Sequence, residues 1–309
     1  MSAQTLGRED AERARAVLAG RIHRTPTFGS ASLGVSLKAE LFQKTGSFKA
    51  RGALNRLAAL TPEERQRGVV TWSAGNHAQA VAWAAREEGV DCLVQMWESV
   101  SPLKVEATRG YGATVDLSPP DAAAAYDRAL AVAEEGRVFV HPHSDPLVIA
   151  GHGTLALELL EGMPSLETVV VGVGGGGLVS GIVTALDGRA RVVAVEPERA
   201  QAFTAGLAAG RSVRVETDTI ADGLAPPFAG ELPLELCRGR VETVLVTEDE
   251  IADGMRFLYS RAKLACEPAG AAAAGAVLAG KVEVGPAVAV IVSGGNVEPK
   301  QAAAILGKQ

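Results

Sequence analysis

Four short segments of the 309-residue chain carry residues suited to chemistry. Gly172-Val-Gly174-Gly175-Gly176-Gly177 closes an apolar β-branched run and opens a helical one. Backbone amides freed of side chains at a helix N-terminus bind an anion, most often phosphate. Four glycines in a row destabilise a turn that needs only one or two, so the run implies a ligand. Lys49, one of eight lysines, lies in Lys44-Thr-Gly-Ser-Phe48-Lys49-Ala-Arg-Gly-Ala53. Between Phe48 and small residues its amine can be partly desolvated and its pKa lowered, the state a Schiff-base lysine needs. Ser73-Ala74-Gly75-Asn76-His77-Ala-Gln79 leaves backbone amides open to a carboxylate, and Asn76 can donate to a phenolate oxygen. The same loop also reads as a helix cap through Ser73 or Asn76. Ser293-Gly294-Gly295-Asn296 follows another apolar run.

The elements that must position these segments alternate. Short β-branched runs at Gly68–Trp72, Cys92–Trp97, Ala113–Leu117, Val138–Val140, Thr168–Val173, Val192–Val195, Val244–Val246 and Ala287–Val292 are each followed by turn residues and helical periodicity. Such alternation predicts an α/β fold with parallel sheets flanked by helices, and ligands at the carboxyl ends of the strands. The glycine run satisfies G-x-G-x-x-G, and the next strand ends at Glu196, about where a ribose-binding acid belongs. A dinucleotide site, however, has no use for Lys49 or Asn76.

Composition narrows the field further. The chain is 47% apolar and 21% charged, which excludes a disordered chain, and about two domains are expected from its length. A net charge of −6 without a basic block argues against nucleic acid. Three cysteines without a C-x-x-C pair fit a reducing cytoplasm. Arg8, Glu9, Asp10, Glu12, Arg13 and Arg15 leave no apolar leader core. Six glycines in Thr168–Leu186 speak against a membrane span there. Scarce asparagine is consistent with a thermophilic source, while 22 arginines also fit a GC-rich genome.

Taken with Glu40-Leu-Phe-Gln-Lys-Thr-Gly-Ser-Phe-Lys49, His141-Pro142, Val148-Ile-Ala-Gly151, Gly153-Thr-Leu-Ala-Leu-Glu158, Val246-Thr-Glu-Asp-Glu250 and Glu267-Pro-Ala-Gly270, in that order, the four segments resemble the fold-type II, or β-family, enzymes that use pyridoxal 5′-phosphate (PLP). The resemblance is to the serine/threonine dehydratase and serine racemase branch and covers nearly the whole chain. It implies a tryptophan synthase β-like α/β fold with two domains. Residues 58–144 would form a small domain inside a large one made of 1–57 and 145–309, with no C-terminal regulatory domain and no isoleucine feedback through one. It also implies a cytoplasmic homodimer or homotetramer.

By the same resemblance Lys49 holds PLP as a Schiff base, with Phe48 against the ring. Gly174, Gly175, Gly176, Gly177 and Leu178 cradle the phosphate, Asn76 meets the ring oxygen, Ser293 faces the pyridine nitrogen, and Gly223 lies close by. Ser73, Gly75, Asn76 and His77 bind the substrate carboxylate, mostly through backbone donors. The expected reaction is α,β-elimination from L-threonine and L-serine, giving 2-oxobutyrate or pyruvate and ammonia. A racemase, a threo-3-hydroxyaspartate dehydratase or a β-replacement enzyme of the same fold are the alternatives; an NAD oxidoreductase or a non-catalytic binding protein stands further off.

Two departures sharpen this. Ala74 stands where serine racemases carry a second serine, so little racemisation is expected, because inversion needs proton delivery on both faces. Some relatives bind a divalent cation at a Glu, a backbone carbonyl and an acid two residues beyond. Here Glu196 and Ala200 are followed by Ala202, so no metal is assigned.

Overall fold

A computed structural model describes residues 6–307. Its strands are β1 (Thr27–Ser30), β2 (Val35–Ala39), β3 (Val69–Trp72), β4 (Cys92–Gln95), β5 (Thr114–Asp116), β6 (Val138–Phe139), β7 (Thr168–Gly172), β8 (Arg191–Pro197), β9 (Glu242–Val246) and β10 (Val288–Val292). Its helices are α1 (Arg8–Leu18), α2 (Lys49–Ala58), α3 (Pro62–Arg67), α4 (Asn76–Glu88), α5 (Pro102–Gly110), α6 (Ala122–Glu134), α7 (Pro146–Gly162), α8 (Gly177–Leu186), α9 (Ala202–Ala209), α10 (Glu231–Cys237), α11 (Glu248–Phe257), α12 (Pro268–Leu278) and α13 (Pro299–Leu306).

The strands form two sheets. One has four parallel strands in the order β5-β4-β3-β6; the other has six in the order β1-β2-β10-β7-β8-β9, parallel except for the β1–β2 hairpin. The six-stranded sheet takes its strands from both ends of the chain, around the four-stranded one. β3, β7 and β10 are buried along their whole length, as strands covered by helices on both faces must be.

Local signals set the helix starts. Thr61 with Glu64 and Thr247 with Glu250 form capping boxes, and Asp145 accepts from the amides of Leu147 and Val148 to start α7. Helices cross at glycine. A Cβ on Gly52 would lie 2.6 Å from the Val148 carbonyl oxygen, one on Gly181 2.5 Å from that of Ile149, and one on Gly275 2.4 Å from that of Glu250. Part of the glycine content therefore serves α2–α7, α7–α8 and α11–α12 packing, and not ligand turns alone.

Beneath α2 lies a buried ion network. Arg51, fully buried, donates from Nε and Nη2 to the two Glu40 oxygens, both at 2.8 Å, and from Nη1 to Glu158 at 2.7 Å. Lys38 of β2 joins it through Glu158 and the Thr25 carbonyl oxygen. Burial alone would raise the Glu40 carboxyl, but the Arg51 guanidinium overrides it and holds the group below its ordinary value. The network ties the helix that begins at Lys49 to β2 of the large sheet.

Candidate active site

The carboxyl ends of both sheets face one cavity of about 660 Å³. All thirteen residues singled out in the sequence line it: Phe48, Lys49, Ser73, Gly75, Asn76, His77, Gly174, Gly175, Gly176, Gly177, Leu178, Gly223 and Ser293. The glycine turn follows β7 and Ser293 follows β10, its neighbour in the sheet; Ser73 follows β3 of the other sheet.

Lys49 is the first residue of α2, and its Nζ donates to the Pro142 carbonyl oxygen at 2.6 Å, 5.2 Å from the Phe48 ring centre. Burial lowers its pKa from 10.5 to about 8, so a usable fraction is free amine near neutrality. The segment before it is zipped to the Ser293 loop. Ser47 and Gly294 form an antiparallel bridge, the Phe48 amide donates to the Ser293 carbonyl oxygen at 3.1 Å, and the Gly295 amide to that of Gly46 at 2.9 Å. Lysine and serine are thereby fixed relative to each other through backbone.

The Ser73 loop presents the start of α4. Ser73 Oγ accepts from the Gly75 amide at 3.1 Å, which leaves the first-turn amides of Asn76 and His77 without intrahelical partners. The His77 ring is buried and bonded through Nε2 to the Val140 carbonyl oxygen at 3.1 Å, so it offers the cavity its amide rather than its imidazole. Asn76 Nδ2 donates to Glu267 Oε1 at 2.7 Å, and Asn76 Oδ1 accepts from Asn296 Nδ2 at 2.7 Å. One Asn76 N–H remains to donate elsewhere.

On the opposite wall the glycine turn opens α8 with no side-chain cap. A Cβ on Gly175 would lie 2.3 Å from His143 Nδ1, one on Gly174 2.9 Å from Pro226 Cδ, and Gly176 has φ +93°. Each neighbour forbids a side chain, and the amides stay bare. Gly223 sits in a short turn against Ala269.

His143, which the sequence suggests as a structural residue or a pocket wall, lines the cavity, as do Glu267, Lys104 and Asp222, to which the sequence assigns no site role. Burial and the nearby Asp222 push the Glu267 carboxyl up to about 8. Lys104 of α5 and Asp222 form an ion pair at 2.6 Å across the cleft mouth. The available signal was an acid, Glu267, isolated in the apolar run Leu264–Ala269; the ion pair joins residues 118 positions apart and leaves no local trace. Burial keeps His143 neutral, far below its ordinary pKa, and lowers His141 to about 4.

Glu196 lies away from the cavity. Its oxygens accept from the Phe203 and Thr204 amides at 2.7 and 2.9 Å and cap α9, so it is not placed to hold a ribose. The described residues contain no group of three or more His, Cys, Asp or Glu arranged for a metal, and no helix long and apolar enough to cross a membrane.

The family model described as pyridoxal-phosphate dependent enzyme matches residues 18–294. The chain belongs to that family. It is 44% identical to the L-threonine ammonia-lyase of Thermotoga maritima, over 97% of this chain and 78% of that protein. It is 38% identical to the catabolic L-threonine dehydratase of Escherichia coli K12, over 97% and 95%. The structure of maize serine racemase superposes with a TM-score of 0.91 at 36% identity, covering 95% of this chain and 94% of that one. The fold is thus that of the fold-type II PLP enzymes, and the chain is a PLP-dependent lyase.

The cavity suits that cofactor. It offers a primary amine of lowered pKa, a bare-amide turn that neighbouring side chains keep free of Cβ atoms, a Ser293 hydroxyl and a spare Asn76 N–H. These are the partners that an aldehyde, a phosphate, a pyridine nitrogen and a phenolate require.

Proposed function

We propose that the enzyme converts L-threonine and L-serine into 2-oxobutyrate or pyruvate, with release of ammonia. Lys49 would carry PLP, the amides of Gly174–Leu178 the phosphate, Asn76 the ring oxygen and Ser293 the ring nitrogen. The Asn76 and His77 amides, beside Ser73 and Gly75, would take the substrate carboxylate. Bound PLP supplies the electron sink for the pair left at the α-carbon. Ser293 is a neutral hydroxyl and cannot hold the ring nitrogen protonated as a carboxylate does, which favours discharging those electrons into a leaving β-group. Lys49 Nζ, freed by the substrate amine, removes the α-proton. The β-hydroxyl leaves as water, its added proton balancing the one taken from the α-carbon, and another water hydrolyses the resulting enamine to the 2-oxo acid and ammonia.

The observation that carries elimination over inversion is Ala74, which lines the cavity beside Ser73 and offers no hydroxyl. The threonine-lyase relatives support the same reading; the likeness to maize serine racemase favours racemisation as the second one. Assays of 2-oxo acid and of D-serine on the holoenzyme separate them. Elimination predicts 2-oxobutyrate from L-threonine and pyruvate well ahead of D-serine from L-serine. D-serine formed as fast as pyruvate would favour the racemase, and full turnover by Lys49→Ala would contradict both.

The working form is proposed as a cytoplasmic homodimer or homotetramer, with residues 58–144 as a small domain and 1–57 with 145–309 as the large one.

A further inference from the structure

The cavity wall beside the glycine turn is more aromatic than a threonine side chain requires. Next to the glycine turn, His143 packs on Gly175 and Gly177. Beyond it the Phe228 ring lies 6.1 Å from His143 and 5.9 Å from Tyr126, and Tyr126 lies 4.9 Å from Trp72, all edge to face. These four residues line the cavity with Trp97 and Pro226. His143 is neutral and the other rings are uncharged, while Asp127 and Arg214 line the same cavity beside them. Tyr126 belongs to α6 and Phe228 to the segment after Gly223, so the aromatic wall is assembled from both sides of the cleft.

The wall lies on the phosphate side. His143 touches the glycine turn and Phe228 lies beyond it, so with the carboxylate placed at the start of α4, as proposed, this wall is what remains for a β-substituent to meet. A benzene ring needs a space of about 150 Å³, and the cavity of about 660 Å³ has to hold it together with PLP and the rest of the amino acid. Aromatic rings gain from edge-to-face contact with such walls beyond the area they bury.

We propose that the enzyme accepts β-hydroxy amino acids with an aromatic β-substituent, of which β-phenylserine is the simplest. This rests on the elimination reading above. The balance is the same as for threonine: the α-proton and β-hydroxyl leave as water, and water hydrolyses the enamine to phenylpyruvate and ammonia.

The test measures kcat/KM of the holoenzyme for L-threonine and L-threo-β-phenylserine, alone and after Tyr126→Ser and Phe228→Ala. Calorimetry on the same preparations gives Kd for L-phenylalanine and L-2-aminobutyrate, which lack the leaving hydroxyl. The proposal expects phenylserine within about tenfold of threonine, and a phenylserine-to-threonine ratio about tenfold lower in at least one variant. It also expects tighter binding of phenylalanine than of aminobutyrate. Because the readout is a ratio within one preparation, a partly unfolded variant does not distort it. Good threonine turnover with phenylserine about a hundredfold worse, or a ratio unmoved in both variants, overturns the proposal and leaves the threonine reading intact. If neither substrate reacts, the elimination reading fails, and the two Kd values alone decide whether the wall recognises an aromatic ring.

Discussion

Asn76 and Glu267, 191 positions apart, meet at 2.7 Å and join the first residue of α4 to the cap of α12. Asn296 completes the contact from the loop after β10, so three segments from both sheets converge on one side-chain amide. The Asn76 side chain, which lines the cavity, is thereby held from behind.

Glu267 makes this contact pH-sensitive. Its folded value, about 8, lies above the ordinary 4.5, so the folded protein keeps a proton that the unfolded chain releases. The stability this gives is complete below 4.5 and is lost as pH rises through about 8. Glu196, pushed up to about 7 by burial, acts with the same sign. In Glu267→Gln one of the two contributions disappears, and the apoenzyme Tm should fall less steeply across this range than in the wild type. Parallel curves would contradict the assignment.

The glycine turn that opens α8 tolerates no side chain. Gly176 has φ +93°, and a Cβ there would lie 2.6 Å from Pro233 and 2.9 Å from the Phe203 ring. Gly176→Ala should cost about 1–3 kcal/mol of apoenzyme stability and weaken PLP binding. Thermal melting and a PLP titration check both.

Arg51 is the pivot of the ion network under α2. Arg51→Ala leaves Glu40 and Glu158 without their guanidinium partner and should cost about 3–5 kcal/mol in urea unfolding of the apoenzyme. Adding Glu40→Gln removes one of the stranded charges, so the double variant should be more stable than the single one.

Ala74 bears on reaction choice. Ala74→Ser restores a hydroxyl to the cavity wall and should raise D-serine formation from L-serine by about a hundredfold, read by chiral chromatography beside pyruvate.

The parts legible in sequence were those written in local runs. β3 with the start of α4, and β7 with its glycine turn, declare themselves through β-branched residues followed by small ones. The observed bounds differ from the expected ones by a residue or two, as at Val69–Trp72 against Gly68–Trp72. The β1–β2 hairpin was not legible. β1 is a four-residue Thr-Phe-Gly-Ser edge strand, and β2 contains Lys38, whose burial depends on Glu158 far along the chain. Arg51 was opaque for the same reason: a charged residue reads as surface until its distant partner is placed, whereas Glu267 left only the weak signal of an acid in an apolar run. The glycine excess was legible as a quantity but only partly as a location, because packing glycines such as Gly52 and Gly181 carry no turn signature.

The most direct test of the account is where the cofactor attaches. The purified holoenzyme is reduced with borohydride, digested, and its peptides mapped by mass. One phosphopyridoxyl group is expected, on Lys49. A group on any of the seven other lysines, or none on an enzyme that still turns L-threonine into 2-oxobutyrate, would contradict it.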